Sequence, residues 1–291
     1  MRKLDRPSLA STELFDASIN GMPVGADRTK FQSNRSHVVA DFDKYTSATT
    51  TKTWCHLPRV PIGRGETLVC GALSKTDLVS LYDDFVVGRG GRPREIYDQI
   101  KLSSFGECPY CGGVGDIGSA GELGTLDHFL PKARFPAYSV LPENLIPACR
   151  TCNAGKSSRF PTDENLQPLH PYLDEDHFFE EVWIVASVRE ETPIVVDFEV
   201  DAPPNWSVKD QSRIKKHFEN CNLASRYRAR VHEELTPLIS QRKSTLRVLS
   251  VDQFRGHLEV ISGESELPIN GWKRTLYRGL AASNWFCSTP F

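Results

Sequence analysis

Two short segments in the second half of the chain alternate between apolar and polar positions. The apolar residues are Val182, Ile184, Ala186 and Val188 in the first segment, and Ile194, Val196, Phe198 and Val200 in the second. A period of two is typical of strands that bury one face. Residues 190–193 separate the two segments and include a proline. The pattern therefore predicts a small β-hairpin.

Other segments place apolar residues at helical spacing. Residues 76–104 are predicted to be helical on both sides of a break at 88–93, with Thr76 or Asp77 as the N-cap. A helical run is predicted from Ile214 onward, followed by more helix after a break at Pro237. A last helix is expected near residues 271–286.

The first 75 residues show no strong period and are rich in Ser, Thr, Asp and Arg. They predict irregular or partly helical structure that a partner could order on binding. The chain is thus expected to divide into a partner-docking region at 1–75, a core at 76–170, and a hairpin with helices at 171–291. The expected fold class is α+β, with mainly helical flanks.

Composition limits the possible functions. The 291 residues carry a net charge of −2, so any nucleic-acid surface must be a local patch. No apolar run reaches the roughly 20 residues of a membrane helix, and no apolar stretch follows the basic pair near the N-terminus. A cytoplasmic location is expected, where the eight cysteines would be reduced.

Two CxxC pairs, Cys108/Cys111 and Cys149/Cys152, are separated by 37 residues. Each pair can present two thiolates to one tetrahedral ion, and two pairs complete the four-cysteine shell of structural zinc. Such a closed shell has no position for water, so this zinc is expected to be structural. Unrelated cysteines or a redox pair are the alternatives. The remaining cysteines, Cys55, Cys70, Cys221 and Cys287, are expected to be buried as apolar residues, although Cys55 and His56 could in principle bind a metal.

Three polar features lie near the second pair. Asp127-His128 follows a short apolar lead, Asn144 follows 16 residues later, and Asn153 comes directly after Cys152. Taken singly, these residues have ordinary explanations, such as a structural histidine or an Asn that caps a turn or a helix. Their joint spacing within a four-cysteine frame favours a shared chemical role.

The pattern CxxC, DH-x-x-P, NL-x-P-x-C-x-x-CN-x-x-K resembles the HNH endonucleases over about 50 residues. The resemblance implies a ββα-metal core, in which a β-hairpin and a helix hold one divalent ion. It implies Asp127 and Asn153 as ligands of that catalytic ion and His128 as the general base. It also implies that Asn144 stiffens the loop and orients His128 through a hydrogen bond.

The chemistry of phosphodiester hydrolysis agrees with these roles. Histidine can accept a proton from water near neutral pH, and oxygen ligands suit Mg²⁺ or Mn²⁺. Nearby basic residues are expected to contact backbone phosphates; they are Lys132, Arg134, Arg150, Lys156 and Arg159.

The residues that follow the cysteine pairs allow more than one interpretation. His170 either forms a wall of the site or is another ligand near the metal, or it belongs to a turn that leads into the strand pair. The turn is favoured. Residues 163–201 carry twelve acids and one base, whereas residues 206–247 carry ten bases and four acids. The acidic stretch is expected to face solvent or a basic partner. The basic stretch is either a surface that contacts phosphates or a solvated helix face.

The opening residues 1–7, the Ile96-Tyr97-Asp98 segment and the His170-Pro171 dipeptide resemble PtuB, the HNH subunit of Septu-type and retron-linked anti-phage systems. This resemblance implies an ABC- or SMC-like ATPase partner of the PtuA type and a role in antiviral defence. The expected function is therefore an HNH endonuclease that acts on nucleic acid, with DNA favoured over RNA as the substrate. The alternatives are a zinc-stapled nucleic-acid-binding module without catalysis and a protein-binding scaffold.

Overall fold

The computed structural model describes residues 1–104, 106–113 and 124–291. Helices dominate this part of the chain, and its six strands form three two-stranded antiparallel sheets. The predicted α+β class with helical flanks is confirmed. The helices are α1 (Glu13–Asn20), α2 (Ala26–Ser33), α3 (Arg35–Thr51), α4 (Lys75–Ser80), α5 (Arg92–Leu102), α6 (Arg150–Lys156), α7 (His177–Glu180), α8 (Val208–Asn220), α9 (Leu223–Lys243), α10 (Val251–Ser262), α11 (Trp272–Ala282) and α12 (Asn284–Ser288). The strands are β1 (Leu68–Cys70), β2 (Leu73–Ser74), β3 (Thr125–His128), β4 (Leu145–Ala148), β5 (Ile184–Arg189) and β6 (Val195–Val200).

The chain divides into two compact units. The amino-terminal unit contains Leu4–Glu107 and Gly118–Asp174. The carboxy-terminal unit contains Met1–Lys3, Cys108–Ile117 and Glu175–Phe291. The division into three consecutive segments, and the docking role of residues 1–75, stay predictions.

Residues 1–75 are more regular than their sequence predicts, because α1, α2 and α3 lie within them. Many of their large apolar residues are buried, among them Phe15, Phe42 and Tyr45. Tertiary packing of these large side chains offsets the modest helix propensity of the Ser- and Thr-rich sequence.

The predicted break within residues 76–104 is confirmed. A π-helix at Leu81–Val87 follows α4, and α5 begins after Gly91 with Pro93 in its first turn. The predicted N-cap is wrong by a few residues. Ser74 caps α4, and Asp77 completes a capping box by accepting from the Ser74 backbone.

The amino-terminal unit holds a second hairpin that residue periodicity alone does not predict. Strands β3 and β4 pair from Thr125 opposite Ala148 to His128 opposite Leu145, and α6 begins two residues after β4. Every residue of β4 is buried, which explains why its sequence lacks polar alternation. Hairpin and helix together form the expected ββα arrangement.

In the carboxy-terminal unit, β5 and β6 form the predicted hairpin, with Ile184 opposite Val200. It packs against α9 and α11, and Gly279 permits close approach because a Cβ there would lie 2.5 Å from the Ala186 carbonyl oxygen. The predicted break at Pro237 is wrong. Helix α9 continues through it, since Leu235 and Leu238 are buried on both sides of the proline.

Within the described ranges, no helix is both long enough and apolar enough to cross a bilayer.

Candidate active site

The ββα hairpin and helix meet through four polar side chains. Thr125 and Asp127 lie two apart on β3 and so share one face, and Asn153 and Lys156 lie three apart on one side of α6. Nδ2 of Asn153 donates to Oγ1 of Thr125 at 2.7 Å. Nζ of Lys156 donates to both carboxylate oxygens of Asp127, at 2.7 and 2.6 Å. The structure thus brings the two expected metal ligands, Asp127 and Asn153, to one face of the hairpin.

The pair formed by Lys156 and Asp127 is largely shielded from water. Only 14% of the Lys156 side chain and 4% of the Asp127 side chain are exposed. The Lys156 ammonium also donates to the backbone carbonyl of His128. Burial lowers the pKa of Lys156 from its ordinary value, although the Asp127 charge opposes this shift. In this structure Lys156 neutralises Asp127 and does not face outward toward a phosphate backbone.

His128 is buried at the end of β3 with its ring orientation fixed. Nε2 lies 2.9 Å from the Ser139 carbonyl oxygen, and the ring packs edge-to-face against Tyr82 with centroids 4.4 Å apart. Because a carbonyl only accepts, Nε2 carries the hydrogen, and Nδ1 of the neutral ring is left as an acceptor. Burial, with smaller contributions from the charges of Lys132 and Lys156, lowers the pKa of His128 to about 3. The ring is therefore neutral near physiological pH.

Asn144 closes the loop between β3 and β4. Its Oδ1 accepts from the Leu130 backbone N–H at 2.7 Å. Its Nδ2 donates to the carbonyl oxygens of Leu130 and Tyr138, at 3.2 and 2.9 Å. The side chain is fully buried, and Ser139, the hydrogen-bond partner of His128, lies within this loop. The predicted hydrogen bond from Asn144 to His128 is wrong, because both polar atoms of the Asn144 side chain bond to the loop backbone instead. Asn144 thus holds the loop whose Ser139 carbonyl contacts His128.

The four cysteines of the CxxC pairs form one buried cluster, with all four sulfur atoms within 4.8 Å of one another. Positive φ angles at Gly112 and Gly113 allow both backbone N–H groups to return to the Cys108 carbonyl oxygen. Sγ of Cys149 accepts from the Cys152 N–H at 3.4 Å and so caps α6. Four converging sulfurs fit a tetrahedral structural zinc ion.

Within the carboxy-terminal unit, two side chains support the first cysteine pair. Nη2 of Arg226 donates to Sγ of Cys111 at 3.3 Å. Nε2 of His217 donates to the Tyr110 carbonyl oxygen at 2.7 Å. A cation next to a thiolate sulfur offsets the negative charge that four cysteines impose on a zinc site.

The expected phosphate contacts have different surroundings. Arg150 and Arg159 are exposed, and Arg134 is half-buried. Lys132 lies over the Tyr82 ring, 4.8 Å from its centroid, and pairs with Asp83. The two exposed arginines are the best placed of the five to meet a nucleic-acid backbone.

The basic stretch 206–247 serves mainly internal contacts. Arg213 is buried over the Phe178 ring, Arg226 lies on the Cys111 sulfur, and Arg228 pairs with Asp197. These contacts favour a structural role for the arginines over a continuous phosphate-binding surface.

His170 is buried among aromatic rings, and both of its ring nitrogens have partners. Nδ1 accepts from the Tyr172 backbone N–H at 3.2 Å, and Nε2 lies 2.9 Å from the Tyr45 hydroxyl. This arrangement agrees with the favoured turn.

Three residues that the sequence does not predict also contribute to the site: Tyr82, Thr125 and Ser139. Ser139 contacts His128 through its carbonyl oxygen, a group that every residue type carries, so no sequence signal marks it. Tyr82 is far from the motif along the chain and lies in the π-helix, a rare element that occurs often at functional sites.

Comparison with known proteins agrees with this geometry. Residues 108–159 match the HNH endonuclease family, over a range that covers both cysteine pairs, the ββα hairpin and α6. These residues form an HNH endonuclease domain. The whole chain is similar to protein ea31 of Escherichia phage lambda, with 33% identity over 299 aligned positions that cover 98% of this chain and 99% of that protein. The chain belongs to the same family as protein ea31. No solved structure matches it.

Proposed function

We propose that the protein is a metal-dependent HNH endonuclease that hydrolyses phosphodiester bonds in nucleic acid, with DNA preferred over RNA. The observation that carries this proposal is the ββα junction. There the carboxylate of Asp127 already binds a cationic group, Asn153 lies on the same face, and neutral His128 ends the same strand.

His128 is proposed as the general base. Its Nε2–H is held by the Ser139 carbonyl, which directs Nδ1 to accept a proton from the attacking water. The Tyr82 ring and the loop closed by Asn144 keep the imidazole in one orientation. Preorganisation of this kind avoids the cost of ordering the base during the reaction.

Asp127 and Asn153 are proposed to hold the catalytic divalent ion, Mg²⁺ or Mn²⁺. Asn153 donates through Nδ2 to Thr125, which leaves Oδ1 as the oxygen available to a metal. A bound divalent ion would supply positive charge for the scissile phosphate and the leaving oxygen. Zinc is proposed for the four-cysteine cluster, where it would hold α6 and the hairpin in place.

Arg150 and Arg159 are proposed to contact backbone phosphates on either side of the cut, with Lys132 and Arg134 nearby. Lys156 is proposed to join them after a divalent ion has replaced its ammonium group on Asp127. Each such contact neutralises a phosphate charge and makes affinity depend on salt.

We further propose that the protein acts in the cytoplasm as the nuclease of an anti-phage defence system, with an ABC- or SMC-like ATPase subunit. The PtuB-like sequence features in residues 1–7, 96–98 and 170–171 support this role. Phage plating on cells that carry the nuclease and a candidate ATPase gene, with and without Asp127→Asn, tests it. Protection that survives the substitution would contradict a nuclease effector.

One observation favours a second function, a nucleic-acid-binding module without catalysis. Lys156 already balances the charge of Asp127, so the junction is stable without a divalent ion. In such a module the pair would be permanent, and divalent ions would change neither stability nor binding.

The experiment is cleavage of a panel of plasmid, single-stranded DNA and total tRNA with Mg²⁺ or Mn²⁺, for wild type and Asp127→Asn, alone and with the ATPase. Cutting by wild type that Asp127→Asn abolishes supports the nuclease and identifies its substrate. Metal-independent binding without cutting in any arm supports the second function.

A further inference from the structure

A second group of metal-ligating side chains lies in the amino-terminal unit, outside the four-cysteine cluster. It consists of Cys55, His56 and Glu164, whose sulfur, ring nitrogen and carboxylate oxygen all lie within 4.8 Å of one another. Nε2 of His56 is 3.6 Å from Oε1 of Glu164. These three donor types are those that zinc binds in proteins.

The backbone that carries this group is fixed by a fourth residue, Gln167. Its Oε1 accepts from the Cys55 backbone N–H at 2.8 Å, and its Nε2 donates to the Lys52 carbonyl oxygen at 2.8 Å. Gln167 is fully buried and directly follows the 3₁₀ turn Glu164–Leu166. Cys55 and His56 lie in another 3₁₀ turn, Trp54–His56. The two turns are therefore held together by a neutral amide and do not depend on a His–Glu ion pair.

Distances and exposure suit a site that is nearly formed. With Zn–S about 2.3 Å and Zn–N about 2.0 Å, tetrahedral ligand atoms lie about 3.5 Å apart. The separations in the group are at most 4.8 Å, so they must shorten by at most about 1.3 Å. Cys55 is buried and provides a fixed anchor. The side chains of His56 and Glu164 are 61% and 32% exposed, and both can rotate to close the remaining gap.

The charges also match. A thiolate and a carboxylate together carry two negative charges, which balance one divalent ion. Arg59 donates to the Cys55 carbonyl oxygen at 2.9 Å, which places a positive charge close to the two acidic ligands.

We propose that Cys55, His56 and Glu164 form a second zinc site, with three protein ligands and a fourth position open to water or an exogenous ligand. This site is independent of the proposed nuclease activity. It ties the turn after α3 to the turn at Glu164–Leu166 and adds a transition-metal centre on the surface of the amino-terminal unit.

The test is the zinc content of purified full-length protein, measured by elemental analysis after equilibration with Zn²⁺ and gel filtration. Wild type is expected to hold one zinc more per chain than His56→Ala, Glu164→Gln or Cys55→Ser. His56 and Glu164 are exposed enough for their variants to fold, which circular dichroism will verify. His232→Ala, at an exposed histidine on α9, is the matched control and should keep the wild-type content.

Cobalt substitution gives a second readout. The wild-type minus Cys55→Ser difference spectrum should contain thiolate-to-cobalt charge transfer from a single sulfur. Equal zinc contents in wild type and His56→Ala, together with a flat cobalt difference spectrum, would overturn the proposal.

Discussion

The ammonium group of Lys156 sits on the carboxylate of Asp127, bonded to both oxygens at 2.7 and 2.6 Å. A buried carboxylate needs a positive partner, and here α6 provides one from within the chain. The same two oxygens are those expected to bind the catalytic ion. Lys156 and a divalent ion should therefore compete for Asp127.

Lys156→Met should show the competition between Lys156 and a divalent ion as a change in protein stability. Without metal, the variant should lose about 3 kcal/mol of stability or more, because the charge of Asp127 stays buried without its partner. Added Mn²⁺ should restore the loss, so the melting temperature should rise more with Mn²⁺ in the variant than in wild type. Lys216→Met, on α8, is the matched control and should respond to Mn²⁺ as wild type does. An equal Mn²⁺ response in Lys156→Met and wild type would show that the ion does not use Asp127.

Asn144→Ala should disorder the loop that orients His128. The substitution removes three buried hydrogen bonds and leaves the backbone groups of Leu130 and Tyr138 without this partner. We expect a loss of about 2 to 4 kcal/mol in urea unfolding, and a fall in cleavage beyond what the folded fraction explains. Asn165→Ala, at an exposed asparagine, should change neither quantity. Full activity in a folded Asn144→Ala protein would remove this residue from the account.

Arg226→Met should weaken the four-cysteine zinc site from outside its ligand set. Arg226 donates to the Cys111 sulfur, and partners of this kind typically contribute about 10- to 100-fold in metal affinity. Competition with a chromophoric chelator measures the change. Arg228→Met is the control on the same helix, since Arg228 pairs with Asp197 instead. If both variants release zinc as wild type does, the Arg226 contact has no influence on the metal.

His170→Ala should show whether His170 has a structural role or is a metal ligand. Its ring is buried against Phe129 and bonded to Tyr45 and Tyr172, so truncation should cost about 3 kcal/mol. Zinc content and cleavage per folded molecule should stay at wild-type levels. A lost metal ion in a folded variant would instead place His170 in a metal site.

The sequence predicted the parts of the fold whose pattern is local. Alternation of apolar and polar residues predicted the β5–β6 hairpin. The spacing of the cysteines, together with the DH and CN dipeptides, predicted the position of the HNH domain. Helices α1 to α3 were harder to predict, because their stability comes from burying a few large residues such as Phe15 and Phe42 against distant parts of the unit. The break predicted at Pro237 is wrong for the same reason, because buried leucines on both sides of the proline stabilise α9.

The candidate site shows the same limit. The resemblance of the motif to HNH endonucleases predicts Asp127, His128, Asn144 and Asn153 as site residues. The contacts around these residues come from elsewhere in the chain. The Tyr82 ring and the Ser139 carbonyl fix the orientation of the His128 ring. Neither contact can be predicted from the residues of the motif. The contact between Lys156 and Asp127, which would compete with a metal ion, depends on how α6 packs against β3. Residue spacing does not predict this packing.

The most direct measurement is cleavage by His128→Ala next to wild type, at equal zinc content and equal melting temperature, on the substrate that wild type cuts. In the variant, cutting with Mg²⁺ or Mn²⁺ should disappear while the zinc stays bound, because the proposed proton acceptor is Nδ1 of His128. A folded, zinc-loaded His128→Ala protein that cuts at the wild-type rate would contradict the assignment of the base and the account built on it.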